Sequence, residues 1–182
     1  MMNVRKANRK DAKGIAHVHV QSWRETYKGI INQDYLDSLD EDKRYHMWKE
    51  SLETNGDQPL FVAENDAGEI IGFASFGKER TKKFEIDGEL YAIYILAEFK
   101  GKKVGTKLFL AGVQELLRQD IKSLLVWVIS NNPSKRFYES FNPIKVKEEE
   151  FRIAGEELIE VAYSWNDLNA LKTSLVSSLE DK

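Results

Sequence analysis

The chain has 182 residues, of which 42% are hydrophobic and 31% are charged, and its formal net charge is −3. This length predicts one compact domain, and the slight negative charge disfavours binding to nucleic acid. The absence of cysteine excludes disulfides, thiolate nucleophiles and zinc ribbons. No stretch approaches the roughly 18 apolar residues of a membrane span, and no signal peptide is recognised, so we expect a cytoplasmic protein.

The first third of the chain predicts a strand followed by helices. Residues 4–7 form a short strand, and Asp11 suits the N-cap of a helix that continues to Tyr27, with apolar residues at three- and four-residue spacings. Residues 33–52 predict a second helical region, which Asp40 restarts as a cap.

The middle of the chain alternates strands, turns and a helix. Residues 60–64 and 69–76 predict a hairpin around an Asn-Asp-Ala-Gly loop. Residues 90–96, LYAIYIL, are almost all apolar and predict a central strand buried on both faces. Residues 104–118 predict an amphipathic helix, and residues 123–129 predict another buried strand.

The last part of the chain predicts a short helix from Pro133, a hairpin of residues 146–153 and 158–165, and a final helix. We therefore expect a mixed α/β (α+β) domain over residues 1–165, with a sheet flanked by helices. The leucine stripe of residues 166–182 predicts an amphipathic C-terminal helix that packs on this domain or forms a homodimer interface. The leucines of this stripe are Leu168, Leu171, Leu175 and Leu179.

The segment that joins the central strand to the next helix combines glycine with positive charge. Gly101 and Gly105 flank Lys102 and Lys103 where the helix begins. A helix N-terminus offers unpaired N–H groups and a partial positive charge, and glycine lets a ligand approach the backbone. The segment therefore suits a phosphate or diphosphate, although a glycine-containing turn with solvated lysines explains these residues equally well.

Two motifs resemble the GNAT superfamily of acyl-CoA-dependent N-acetyltransferases. Residues 100–105, KGKKVG, are similar to the family signature Gln/Arg-x-x-Gly-x-Gly/Ala, with Lys103 in place of the middle glycine. Residues 132–139, NPSKRFYE, are similar to the family element N-x-x-A-x-x-F-Y-E, although Asn142-Pro143 stand where Gly-Phe usually follow. The order of elements over residues 4–165 fits as well.

The resemblance implies a mostly antiparallel sheet whose central strands splay, and acetyl-CoA as the co-substrate in that cleft. A side chain at position 103 must then point away from the diphosphate, or the backbone must shift. Asn132 either contacts the cofactor amide or caps its own helix. The residues that the resemblance implies in cofactor binding are Ile93, Tyr94, Ile95, Lys100, Gly101, Lys102, Lys103, Val104, Gly105, Thr106 and Asn132.

The resemblance also implies catalytic residues. Tyr138 is the candidate acid, because a phenol stays protonated at neutral pH and donates to a departing thiolate; packing against Phe137 is the alternative. Glu89, at the start of the central strand, is the candidate base, and a surface carboxylate is the alternative. Trp23, Tyr27 and Ile30 are expected to form an apolar wall of the acceptor pocket, although aromatic residues at helical spacing usually belong to a core.

The three histidines lack ligand spacing, so we expect no metal. The leading hypothesis is an acetyl-CoA:amine N-acetyltransferase that acts on a small-molecule amine or a peptide N-terminus. Without cysteine to carry the acyl group, transfer is expected to be direct, in a ternary complex. The alternative is a non-catalytic acyl-CoA-binding or sensing module with the same fold.

Overall fold

The computed structural model describes residues 2–181. Residue 1 of the predicted domain (1–165) and residue 182 of the predicted C-terminal helix (166–182) therefore lie outside the described residues. In chain order the helices and strands are β1 (Asn3–Lys6), α1 (Ala12–Thr26), α2 (Gln33–Ser38), α3 (Glu41–Thr54), β2 (Leu60–Glu64), β3 (Ile70–Lys78), β4 (Gly88–Ile95), α4 (Val104–Arg118), β5 (Leu124–Ile129), α5 (Lys135–Glu139), β6 (Ile144–Ile153), β7 (Glu156–Trp165) and α6 (Leu168–Glu180). The predicted helical region 33–52 divides into α2 and α3, and the carboxylate of Asp40 caps α3 by accepting from Asp42 N–H at 2.8 Å.

The strands form one seven-stranded sheet in the order β1-β2-β3-β4-β5-β7-β6. Among the described pairings, β4 and β5 run parallel and all other neighbours run antiparallel. The parallel pair follows from the connection, because α4 crosses over one face of the sheet between the two strands. The predicted mixed, mostly antiparallel sheet flanked by helices is confirmed.

The two central strands separate after a short parallel ladder. Residues 88–90 of β4 pair with residues 124–126 of β5, whereas residues 91–95 pair only with β3 among the described strands. Over the same length β5 stays paired with β7. The predicted burial of the central strand on both faces is therefore wrong for residues 91–95, which are half-buried because they border an opening in the sheet.

One face of the sheet is covered by α4 and α6. Phe109 and Leu116 of α4 are fully buried in the largest core cluster. Leu168, Leu171 and Leu175 of α6 join the same cluster, so the leucine stripe packs against α4 and the sheet. A homodimer interface on α6 stays a prediction.

The other face is covered by α1 and α3, which surround Phe73 with Ile15 and Trp48. The prediction that Asp11 caps α1 is wrong, because its side chain makes no capping hydrogen bond to this helix. It accepts two hydrogen bonds from the Arg5 guanidinium, at 2.8 and 2.9 Å, and one from Asn8 N–H at 2.8 Å. The carboxylate therefore ties β1 to the turn before α1.

Gly112, in the middle of α4, allows the helix to lie directly on the sheet. A Cβ at this position would come within 2.0 Å of the Phe76 ring, which is itself buried. We predict that Gly112→Ala lowers the free energy of unfolding by about 1–3 kcal/mol, because the overlap outweighs the helix preference of alanine.

Denaturant titration of the two proteins measures this difference. Gly56→Ala is the matched control, since a Cβ at residue 56 meets only the Leu52 carbonyl oxygen, at 3.6 Å. Equal stability of the Gly112→Ala protein and the control would contradict the close approach of α4 to the sheet.

Candidate active site

A cavity of about 620 Å³ opens where β4 and β5 separate. It follows residues 91–95 of β4 on one side and residues 126–129 of β5 on the other. One end lies at the start of α4, and the other lies against α1 and the β6–β7 hairpin. Because the edge of β4 that faces β5 lacks a strand partner here, its backbone N–H and C=O groups are available to a ligand.

The start of α4 places backbone donors at one end of the cavity. The first hydrogen bond within this helix joins Lys107 N–H to the Lys103 carbonyl at 3.1 Å, so the N–H groups of Val104, Gly105 and Thr106 precede the helical ladder. Gly101 has a φ of +77°, and a Cβ there would meet open space. The positively polarised N-terminal end of α4 therefore faces the cavity, where it can bind an anion.

The lysines around this helix end are placed differently. Lys100 and Lys103 line the cavity, whereas Lys102 does not and its ammonium lies 5.5 Å from the centre of the Phe99 ring. Lys103 has a left-handed backbone, and its Nζ donates to the Ser178 carbonyl at 2.5 Å and to the Asp181 carbonyl. The Lys103 ammonium is thus directed to the end of α6, and where this side chain lies relative to a diphosphate stays a prediction.

The three predicted residues of β4 border the cavity with side chains on both faces of the sheet. Ile93 and Ile95 pack towards the core under α4, whereas Tyr94 points towards α1. Ile95 also lies 3.2 Å from where a Cβ of Gly105 would be. A Cβ at position 105 would therefore press on the end of the Ile95 side chain, so glycine favours the close approach of the first turn of α4 to the strand.

Tyr138 of α5 lies in the wall of the cavity and is 5% exposed. Its ring packs among Phe109, Phe137 and Trp165, with ring centres 5.4–6.4 Å apart. Burial raises the pKa of the phenol well above its ordinary value, and Tyr94 adds to the shift. Packing in the core and access to the cavity are thus both properties of this side chain.

The predicted acceptor residues are divided between the cavity and the core beside it. Trp23 and Tyr27 line the cavity. Ile30 does not line it and packs against the hydrophobic cluster that contains Tyr27. The Asn132 side chain makes two contacts: its oxygen accepts from Ser134 N–H at 2.8 Å, and its amide donates to the Tyr27 hydroxyl at 3.2 Å. Asn132 therefore caps its own turn and joins α1 to the loop before α5.

Glu89 lies outside the residues that line the cavity. It is 2% exposed. One of its carboxylate oxygens accepts from the Arg80 N–H at 3.1 Å, and the other accepts from the Arg80 guanidinium at 2.7 Å. A role as base stays a prediction, and it would require the carboxylate to exchange Arg80 for the amine.

Glu160 of β7 is the site residue that the sequence did not reveal. It is the only carboxylate among the described residues that line the cavity, and it lies opposite Ile129 on β5 and Glu149 on β6. Burial raises the pKa of Glu160, and the neighbouring Glu149 raises it further. Strand alternation held a signal, because Glu160 shares one face of β7 with the apolar Leu158 and Ala162.

A cluster of aromatic rings supports Tyr94 from the side of α1. The His19 ring stacks on Tyr94 with centres 5.6 Å apart, and its Nδ1 accepts from the Trp48 indole N–H at 3.2 Å. Burial, together with the charge of Arg44, lowers the pKa of His19 to about 4. The imidazole is therefore neutral at pH 7 and carries its proton on Nε2.

The described residues contain neither a membrane-spanning helix nor a metal-binding cluster. No helix in the described part of the chain is both long and apolar enough to cross a membrane. Over the same residues, no group of three or more His, Cys, Asp or Glu side chains is placed to hold a metal ion.

Comparison with known proteins shows similarity to acetyltransferases. The Acetyltransferase (GNAT) family model matches residues 20–142. An uncharacterized N-acetyltransferase of Bacillus subtilis, YuaI, is 46% identical over 175 residues, which cover 96% of this chain and 99% of the relative. An uncharacterized N-acetyltransferase of Archaeoglobus fulgidus is 32% identical over 142 residues, which cover 76% of this chain and 90% of the relative.

A solved structure shows the same fold. The PaiA N-acetyltransferase of Thermoplasma acidophilum, crystallised in complex with coenzyme A, superposes with a TM-score of 0.68 at 22% identity. The superposition covers 88% of this chain and 98% of the other protein.

The neutral, half-buried His19 predicts a specific loss of stability in acid. Its pKa is about 4 in the folded chain and 6.5 ordinarily, so between these values the unfolded chain binds more protons. The free energy of unfolding therefore falls as the pH drops from 6.5 towards 4, by about 2 kcal/mol between pH 7 and pH 5.

Urea titrations at pH 7 and pH 5 measure this loss. Carboxylates elsewhere also titrate in acid, so the informative quantity is the difference between the wild type and His19→Gln, which has no titrating ring. His46→Gln is the control, because His46 is exposed. If His19→Gln lost as much stability between pH 7 and pH 5 as the wild type, the lowered pKa of His19 in the folded chain would be disproved.

Proposed function

The chain belongs to the GNAT family of acetyltransferases and is an acyltransferase; from this we propose that it transfers an acetyl group from acetyl-CoA to a primary amine, carried by a small molecule or a peptide N-terminus. One observation carries the proposal. A single cavity runs from the backbone donors of α4, along the unpaired edge of β4, to Tyr138 and Glu160.

The residues present fit coenzyme A at the α4 end of this cavity. The N–H groups of Val104, Gly105 and Thr106, together with Lys100 and the open space beside Gly101, suit a diphosphate. The unpaired edge of β4 from Tyr91 to Ile95 offers backbone partners to the amides of a pantetheine arm. This fit supports the residues predicted from the sequence, except Lys102, which lies outside the lining.

Acetyl-CoA supplies an activated thioester, whose C–S bond breaks as the C–N bond to the acceptor amine forms. Tyr138 keeps its proton at neutral pH, because its pKa is raised by burial. Its hydroxyl donates this proton to the departing sulfur, and the proton that nitrogen releases as the amide forms restores the phenol. A backbone N–H on the unpaired edge of β4 polarises the thioester carbonyl. The chain contains no cysteine, so we propose direct transfer within a ternary complex.

Glu160 receives the acceptor amine at the other end. A carboxylate attracts an ammonium group, and its raised pKa makes Glu160 a better proton acceptor than an ordinary carboxylate. Trp23 and Tyr27 supply the apolar and aromatic surface beside it. Glu160 thus takes the proton that the amine must lose before its nitrogen attacks.

The proposal is tested by calorimetry with coenzyme A and by acetylation of a panel of primary amines, including polyamines, amino acids and short peptides. Initial velocities at several concentrations of both substrates distinguish direct transfer in a ternary complex from a ping-pong scheme, since a ternary complex gives intersecting double-reciprocal lines. Absence of coenzyme A binding would remove the proposed function.

Replacement of Tyr138 by phenylalanine removes the hydroxyl and keeps the ring in its aromatic surroundings. We predict a fall in kcat of about 100-fold, the lower range for general acid catalysis, with little change in coenzyme A affinity. The matched control is Tyr163→Phe, since Tyr163 is also buried, donates to Glu139 at 3.0 Å and lies outside the cavity lining. An unchanged kcat would show that Tyr138 serves packing alone.

Replacement of Glu160 by glutamine removes the charge and keeps the shape. We predict that kcat/KM for the amine falls by about 100-fold near neutral pH, because the amine loses its proton acceptor, while the KM for acetyl-CoA stays the same. Glu157→Gln is the control on the same strand, since Glu157 is exposed and paired with Arg152. A larger loss in Glu89→Gln than in Glu160→Gln would transfer the role to Glu89.

A further inference from the structure

Lys103 adopts a backbone conformation that lysine disfavours. Its φ of +64° and ψ of +16° lie in the left-handed region, which glycine enters without strain. It stands where the family signature has its middle glycine, and it is the residue immediately before α4. The conformation of this residue sets the direction in which the following N–H groups of α4 point.

The side chain of Lys103 is held by the opposite end of another helix. Its Nζ donates to the main-chain carbonyls of Ser178, at 2.5 Å, and Asp181. Ser178 lies in the last turn of α6, where carbonyls lack partners within the helix, and Asp181 is the residue that directly follows α6. Lys103 therefore connects the donor end of α4 to the acceptor end of α6.

The two helices run antiparallel, which makes this contact favourable. Leu168, at the start of α6, donates to the Lys122 carbonyl just beyond the end of α4, at 3.0 Å. The end of α6 therefore lies beside the start of α4. A lysine at a helix N-terminus is disfavoured by the positive end of the dipole, whereas the negative end of α6 attracts it.

We propose that Lys103 is a positioning residue: the last turn of α6 holds its side chain and thereby keeps residues 101–106 in the conformation that binds the diphosphate of coenzyme A. This inference rests on the proposed function, because it concerns the affinity of the same cofactor site. Lys103 acts through the backbone N–H groups that follow it. The coupling is reciprocal, so bound coenzyme A also stabilises the last turn of α6.

Two variants break the contact from its two sides. Lys103→Met keeps the length of the side chain and loses the ammonium group. A chain that ends at residue 176 lacks Ser178 and Asp181 but retains Lys103 and the buried leucines 168, 171 and 175. The removed segment, SSLEDK, contains two carboxylates and one lysine, so simple electrostatics predicts tighter binding of an anion to the shortened chain.

For the shortened chain we expect the opposite of that electrostatic effect. Each variant should raise the Kd for coenzyme A about five- to tenfold, the lower range of coupling between sites, and the KM for acetyl-CoA should rise while kcat is kept. The two changes combined should raise Kd no further than either alone, because they break the same contact. Lys172→Ala is the control, since it removes one exposed positive charge from α6.

Amide hydrogen exchange on the intact chain gives a readout that does not depend on the folding of a variant. Coenzyme A should slow exchange at residues 178–181 in the wild type and leave it unchanged in Lys103→Met. A Kd that is unchanged in both variants, or tighter binding by the shortened chain, would overturn the inference and leave the proposed function intact. A wild type that binds no coenzyme A would remove both.

Discussion

The separation of β4 from β5 is the constraint on which the rest of this structure depends. A sheet is stabilised by continuous pairing of backbone donors and acceptors, and a central strand with an open edge leaves polar groups without partners. Here β4 keeps its antiparallel partner β3 along its length and loses its parallel partner after three residue pairs. The opening is lined by side chains and leaves a cavity of about 620 Å³ beside the unpaired edge.

Each face of the sheet holds the opening in place with a different kind of packing. Under α4 the contacts are apolar and close, and glycines at positions 105 and 112 bring the helix onto the strands. On the side of α1, stacked rings around His19 support Tyr94 without a fully apolar core. The helix that supplies the main core thus also supplies the backbone donors of the cofactor end, which ties cofactor binding to the stability of the domain.

Sequence periodicity and local motifs were sufficient for the helices and strands and for locating the segment at the α4 end of the cavity. Both are local properties: the segment from Lys100 to Thr106 is continuous, and its function depends on the helix that begins within it. The residues that were missed or placed differently depend on partners far away in the chain. Glu160 lies in the cavity because β7 pairs with β5, and Lys103 reaches the Ser178 carbonyl, 75 residues away. No local pattern in the sequence encodes such contacts.

The two ends of the cavity are encoded by different parts of the chain. The proposed cofactor end is built from residues 90–138, whereas the proposed acceptor end combines residues 23–27 with residues 151–160 of the terminal hairpin. Under the proposed function, substitutions in the flanking segments can therefore alter the amine-binding end of the cavity without altering the segment that binds the acyl donor.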